Sequence, residues 1–169
     1  MAGSAPHILV VDPKAAHRAL LARRLTAEGY GVTTTDSVGA AIALLHRTPV
    51  DLVLAELAMP VFDGIALTQR LRATSAWRDL PVILISGRSE HDGVVRALAG
   101  GADDVVVKPF HFEVLVARIA RQLERARALR ELRADMAAMD ARVVERAIAF
   151  GELQDRYRAR EAELRRVEA

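Results

Sequence analysis

The sequence predicts an α/β domain on a doubly wound, five-stranded parallel sheet, followed by a long carboxyl-terminal helix. Three observations carry that prediction. Short apolar runs alternate regularly with amphipathic stretches across residues 1–110. Three of the runs are continuous and β-branched rather than alternating, the pattern of strands buried on both faces of a parallel sheet. From residue 111 onward the chain has no Pro and one Gly, at 151, and is dense in the helix formers Ala, Arg, Glu and Leu.

The elements follow in order. Residues 7–11 (HILVV) are the first strand, and Ala15, Leu20, Leu21 and Leu25 line the helix after it. Residues 30–34 are the second strand, before a helix marked by Val38, Ile42 and Leu45. Residues 51–55 are the third, with Ile65, Leu67 and Leu71 on the next helix. Residues 81–85 are the fourth, followed by Val94, Val95 and Leu98, and residues 104–107 are the fifth. Gly29, Gly64 and the pair Gly100-Gly101 punctuate the turns, and Pro49, Pro60, Pro81 and Pro109 fall at element boundaries. Five βα units in register with one another make a parallel array. Leu115, Ile119 and Leu123 suit a fifth helix docked on the sheet, so the first domain is expected over 1–123.

Residues 124–169 are expected to form a helical extension with a heptad. Leu129, Met136, Val143, Phe150, Tyr157 and Leu164 occupy a, and Leu132, Met139, Arg146, Leu153, Arg160 and Val167 occupy d. Ten of these twelve seam positions are apolar or aromatic. A segment of about 40 residues outreaches a small domain at 1.5 Å per residue, so a self-associating coiled coil fits better than a helix folded back. Gly151 weakens it by roughly 1 kcal/mol, and Arg146 and Arg160 burden the seam unless they snorkel. Charge pairing across the seam does not choose between parallel and antiparallel helices.

Composition narrows the function. The 169 residues (18.4 kDa) hold one ordinary domain plus an extra element. With no cysteine, disulfides, thiolate metal sites and thiol catalysis are excluded. The net charge is only +2, and residues 111–169 carry 13 Arg against 11 acidic residues, with no aromatic platform and no helix-turn-helix. Nucleic acid is therefore a disfavoured partner. No signal-like start and no 18-residue apolar run exist, so a cytoplasmic protein with no membrane partner is expected.

In an open parallel sheet, ligands bind beyond the carboxyl ends of the strands. Asp12, Glu56, Ser86 and Lys108 stand at the ends of strands one, three, four and five. Two carboxylates, a hydroxyl and an ammonium on one crevice suit a phosphoryl or cation site. Asp63 reads as a helix cap, and Asp103 and Asp104 as turn residues. His7, His17, His46, His91 and His111 are scattered, with no metal-ligand spacing.

Four stretches carry a family resemblance: ILVVD at 8–12, DLVLAELAMPVFDG at 51–64, PVILISG at 81–87, and ALAGGADD at 97–104 followed by VKPF at 107–110. Over residues 7–123 the chain resembles the receiver domain of bacterial two-component response regulators, which are flavodoxin-like (β/α)5 folds. The resemblance implies an Asp after strand three that takes a phosphoryl group from a histidine kinase. It also implies two acidic residues after strand one that help hold Mg²⁺, a Ser or Thr and a Lys that contact the phosphoryl group, and an aromatic on strand five that reports the switch. Family members often have a cis bond after that Lys, here Lys108-Pro109.

This chain keeps Asp12, Ser86 and Lys108 but has Glu56 at the phosphoacceptor position, Pro13 at the second acidic position and Val105 at the aromatic position. Glu adds one methylene and moves the carboxylate by more than about 1 Å where in-line geometry matters. Pro13 offers neither a carboxylate nor an N–H, and Mg²⁺ needs octahedral oxygen ligation. The expectation from these departures is a degenerate, phosphorylation-independent receiver, not an enzyme, with no cofactor and no metal. It would pair Glu56 with Lys108, dimerise through its tail and dock an unidentified signalling protein. The alternative is a phosphorylatable receiver, or the amino-terminal part of a longer regulator whose helix passes a signal to an enzymatic or DNA-binding output.

Overall fold

The computed structural model describes residues 5–87 and 91–167. They form β1 (His7–Val11), α1 (Ala15–Ala27), β2 (Gly31–Thr35), α2 (Val38–Leu45), β3 (Leu52–Glu56), α3 (Gly64–Ala73), β4 (Val82–Ser86), α4 (His91–Ala99), β5 (Asp104–Val107) and α5 (Phe112–Val167). The strands are all parallel, in the order β2-β1-β3-β4-β5. The order reverses between β1 and β3, which opens a crevice at their carboxyl ends. The flavodoxin-like (β/α)5 sheet and the long terminal helix are as the sequence predicts.

Alternation along each strand sorts the core into two layers. Leu9, Val11, Val53, Ala55, Val82 and Leu84 face α2, α3 and α4, where Ala41, Leu45, Leu67, Leu71 and Ala97 meet them. Ile8, Val10, Leu52, Leu54, Ile83 and Ile85 face α1 and α5, against Leu21, Leu25, Phe112, Leu115 and Ile119. Both faces of the central strands are covered, which is why their sequences are continuously apolar.

β2, β3 and β4 each begin and end one residue later than predicted. For β2 the reason is the α1–β2 turn. Gly29 takes φ 90°, a left-handed conformation that glycine adopts without strain, and Tyr30 donates its N–H to Leu25 O at 3.2 Å. Tyr30 is thereby held in the turn. For β3 and β4 the ladder reaches further, pairing Glu56 with Ile85 and Ser86 with Val107.

The chain divides into two compact units, Met1–Ala126 and Arg127–Ala169. In the first, Phe112, Leu115 and Ile119 of α5 are buried, with Val116 and Leu123 packed beside them. In the second, Leu129, Leu132, Met136, Met139, Val143, Phe150, Leu153, Tyr157 and Leu164 are all exposed, from 38% for Leu129 to 72% for Tyr157. Val144 and Ile148 are exposed too and lie outside the a/d seam. Val167 ends α5, and its side chain lies outside the described residues. Among the described residues, no helix is long and apolar enough to cross a membrane.

Candidate functional site

The site is assembled by strand ends. Asp12 follows β1, is 2% exposed, and is held on several sides. Its N–H donates to Thr35 O at 3.1 Å, its carbonyl accepts from Arg18 Nη1 at 2.6 Å, and its Oδ1 accepts from the Lys14 N–H at 2.7 Å. The other carboxylate oxygen, Oδ2, stands 3.3 Å from His17 Nδ1. Asp12 is thus oriented by backbone, with one oxygen aimed along α1.

Glu56 is the last residue of β3, and its Oε2 accepts from Lys108 Nζ at 2.6 Å. The two side chains are 12% and 33% exposed. A charge-assisted bond this short in a partly dried pocket is stronger than a surface ion pair. Lys108 is placed by its own backbone, whose N–H donates to Ser86 O at 2.8 Å, and the Lys108-Pro109 bond is cis. The expected pairing of Glu56 with Lys108, 52 residues apart, is present.

The loop from β3 to α3 passes close over this strand end. Gly64 donates its N–H to Leu57 O at 2.9 Å. A Cβ on Gly64 would meet the Glu56 carbonyl oxygen at 2.7 Å and Leu84 Cδ2 at 2.9 Å, so only glycine fits. Asp63 caps α3, accepting from the Ala66 N–H at 2.8 Å.

Of the predicted site residues, Pro13 and Val105 are placed elsewhere, while Ser86 accepts from the Lys108 N–H through its carbonyl. Asp12, Glu56 and Lys108 converge. Ser86 is buried, and its Oγ donates to Gly87 O at 3.1 Å. Pro13 lines a different cavity, of about 560 Å³, with Ser37, Val38, Pro60, Val61 and Phe62. Val105 is half-buried against the α2–α4 layer, so no ring stands there.

Two sequence-based expectations need correction. Asp103 and Asp104 are more than turn residues. Asp103 Oδ2 accepts from Arg72 Nη2 at 2.7 Å and from the Val82 N–H at 2.8 Å, and Asp104, the first residue of β5, takes Arg118 Nη1 on both oxygens at 2.7 Å. The histidines, read as scattered, include one in the pocket. His17, in the first turn of α1, brings a nitrogen within reach of both carboxylates, and one ligand atom each from Asp12, His17 and Glu56 lies within 4.8 Å of the others. The signal was available: a helix that starts directly after a strand end places its first turn at the same crevice.

This donor set does not fit the Mg²⁺ that the family resemblance implies. Mg²⁺ favours an all-oxygen octahedron, whereas Pro13 supplies no carboxylate and the third group is an imidazole.

Comparison with known proteins agrees with the fold and revises the function. Residues 8–120 match the family model for the response regulator receiver domain. The chain is 42% identical over 123 residues to the phosphate regulon transcriptional regulatory protein PhoB of Rhizobium meliloti, covering 72% of this chain and 54% of that protein. It is 38% identical over 122 residues to the transcriptional regulatory protein PrrA of Mycobacterium leprae, covering 72% and 52%. The chain therefore spans about half the length of the curated relatives it matches. Among solved structures, the signal receiver domain of a signal transduction histidine kinase from Syntrophus aciditrophicus matches with TM-score 0.67 and 33% identity, over 71% of this chain and 91% of that one. NtrX from Brucella abortus matches with TM-score 0.71 and 32% identity, over 76% and 29%. The expectation of a phosphorylation-independent interaction module does not survive these relatives. The two curated relatives are transcriptional regulatory proteins, and they favour the alternative of a phosphorylatable receiver within a longer regulator. With its parallel sheet, its strand-end carboxylates and lysine, and a family match over most of its sheet domain, the chain belongs to the response regulator receiver family, whose domains signal rather than catalyse.

Proposed function

We propose that this chain is the receiver part of a transcriptional response regulator, that it takes a phosphoryl signal in the Glu56 pocket, and that α5 passes the signal toward an output region. The observation that carries this reading is the continuity of α5. The helix that buries Phe112, Leu115 and Ile119 against the sheet continues without a break to Val167.

The pocket supports the chemistry at one point. A carboxylate oxygen of Glu56 attacks phosphorus, the donor's leaving group departs, and the Lys108 ammonium offsets charge on the phosphoryl oxygens. Lys108 sits 2.6 Å from Glu56 Oε2, so labelling requires it to exchange a carboxylate oxygen for a phosphoryl oxygen. That exchange is the local event α5 would read, since β5 and the Lys108-Pro109 segment lead directly into it.

The tail supports a homodimer. Apolar side chains recur at 3.5-residue spacing and are exposed in the single chain, the condition under which two copies bury a seam together. The receiver surface is then left for a signalling partner.

Intact mass after incubation with acetyl phosphate and a divalent cation tests the reading. The wild type should gain one phosphoryl group and Glu56→Gln none. An unlabelled wild type, or labelling that survives Glu56→Gln, would overturn it.

A further inference from the structure

We propose that the tail pairs with a second copy of itself in the antiparallel direction, centred between Val144 and Glu145. The inference rests on the homodimer reading and adds to it the direction and register of the pair.

The starting point is an exposed seam with charge inside it. The apolar side chains at a and d from Leu129 to Tyr157 are 38–72% exposed, and Arg146 and Arg160 occupy two of the d positions. In a parallel pair in register, each d residue faces its own copy. Arg146 then meets Arg146, and Arg160 meets Arg160. Like charges set opposite one another in a seam that excludes water repel far more than they do at a surface.

An antiparallel pair sets a against d instead. Centred between 144 and 145, it brings Phe150 to Met139, Tyr157 to Leu132 and Met136 to Leu153. Arg146 meets Val143 and Arg160 meets Leu129, so each stem lies along an aliphatic neighbour while its guanidinium reaches water. Every seam position from 129 to 160 has a partner. The methionine against Phe150 adds a favourable sulfur–ring contact.

The borders of the seam fix the register. Asp135 meets Arg156, and the other charges at e and g, Arg133, Asp140, Arg142, Glu161 and Glu163, each face Ala or Gln. Arg156 Nε also reaches the Glu152 carbonyl at 3.4 Å, and a guanidinium has five donors for both contacts. Sliding the second copy by one heptad creates like-charge pairs either way. One direction sets Arg142 on Arg156 and Asp135 on Glu163, and the other sets Arg142 and Asp140 each on itself. The parallel pair sets Asp135 on Asp140, which offsets its one attractive pair, Arg156 with Glu161. The remaining charges from 127 to 163 stand at b, c and f, on the outer side in either direction. In the antiparallel register, the far end of each tail lies beside Ala128 and Leu129 of the second copy.

The chain has no cysteine, so Ala162→Cys, at an outward f position, takes a single nitroxide on the whole protein. Pulsed dipolar spectroscopy then reads direction. Antiparallel labels stand about 35 residues apart along the axis, roughly 52 Å, whereas parallel labels stand at one height, within about 25 Å. Sedimentation over a concentration series reads register. Asp135→Arg should weaken the dimer roughly five- to tenfold, and adding Arg156→Asp to the same chain should restore it. In a parallel pair, Asp135→Arg tightens the dimer by meeting Asp140. A dimer with the short label distance, or one that Asp135→Arg tightens or leaves unchanged, would overturn the antiparallel register while the homodimer stands. A monomeric wild type at tens of micromolar would overturn the homodimer reading and this inference with it.

Discussion

The two units of this chain use the same apolar residues in opposite ways. In Met1–Ala126, Leu54, Leu84 and Leu115 are fully buried, while in Arg127–Ala169, Leu132 is 57% exposed and Met139 64%. The difference lies in period. Strand runs and helices of the first unit present their side chains to one another within a single chain. The second unit is one helix with a 3.5-residue repeat, and a lone helix has no second surface of its own to cover it. The receiver carries its stability internally. The tail's apolar stripe is left exposed within its own unit.

The contrast can be broken most forcefully in the sheet. Leu54→Ala opens a cavity between β3 and the α1–α5 layer and should cost about 2–5 kcal/mol, read as a lower denaturation midpoint. If the comparison is right, the tail cannot compensate. A variant as stable as wild type would mean that the receiver leans on the tail.

The reverse experiment addresses association. Leu132→Ala and Phe150→Ala remove expected seam side chains that are 57% and 61% exposed in a single chain. Each should weaken dimerisation by an amount within the same range, about 2–5 kcal/mol, and leave receiver unfolding unchanged at fixed monomer state. Arg146→Leu should tighten the dimer by taking a charge from the seam. Sedimentation over a concentration series reads all three. A monomeric wild type at tens of micromolar would remove the seam argument.

A smaller effect sharpens the comparison inside the pocket. Lys108→Ala leaves the mostly buried Glu56 carboxylate without its ammonium and should destabilise the receiver by about 1–3 kcal/mol. Glu56→Gln, which removes the charge instead, should cost less. Because that pair is the contact α5 would read, breaking it in either variant should also shift the tail's association, and sedimentation measures the shift.

What the sequence made legible follows from how local each feature is. The sheet was readable because burial on both faces leaves continuous runs such as 52–55 and 82–85, and strand ends place Asp12, Glu56 and Lys108 by count alone. The Glu56–Lys108 pair needed only the inference that both residues end up at one edge of the sheet. Of His17 only its place in the helix turn after β1 was legible, because its approach to Glu56 depends on how α1 docks through Leu21 and Leu25. The tertiary roles of Asp103 and Asp104 were hidden for the same reason, since Arg72 and Arg118 reach them from 31 and 14 residues away. The function was misjudged by weighing three substitutions in the pocket above the rest of the domain. Relatives at 42% and 38% identity are transcriptional regulators.

Gly64 has a meaning for anyone who would diversify this protein. Its missing Cβ is what lets α3 begin against the Glu56 carbonyl, so any library that randomises the loop after β3 has one column with a single permitted letter. Residue 62, exposed at 59%, is the column with freedom, whereas Val61 holds φ 68°, a left-handed conformation that favours Gly or Asn. A designer can therefore vary the wall of the neighbouring cavity from position 62 while the Glu56 end of β3 stays as it is, and position 64 sets the boundary between them.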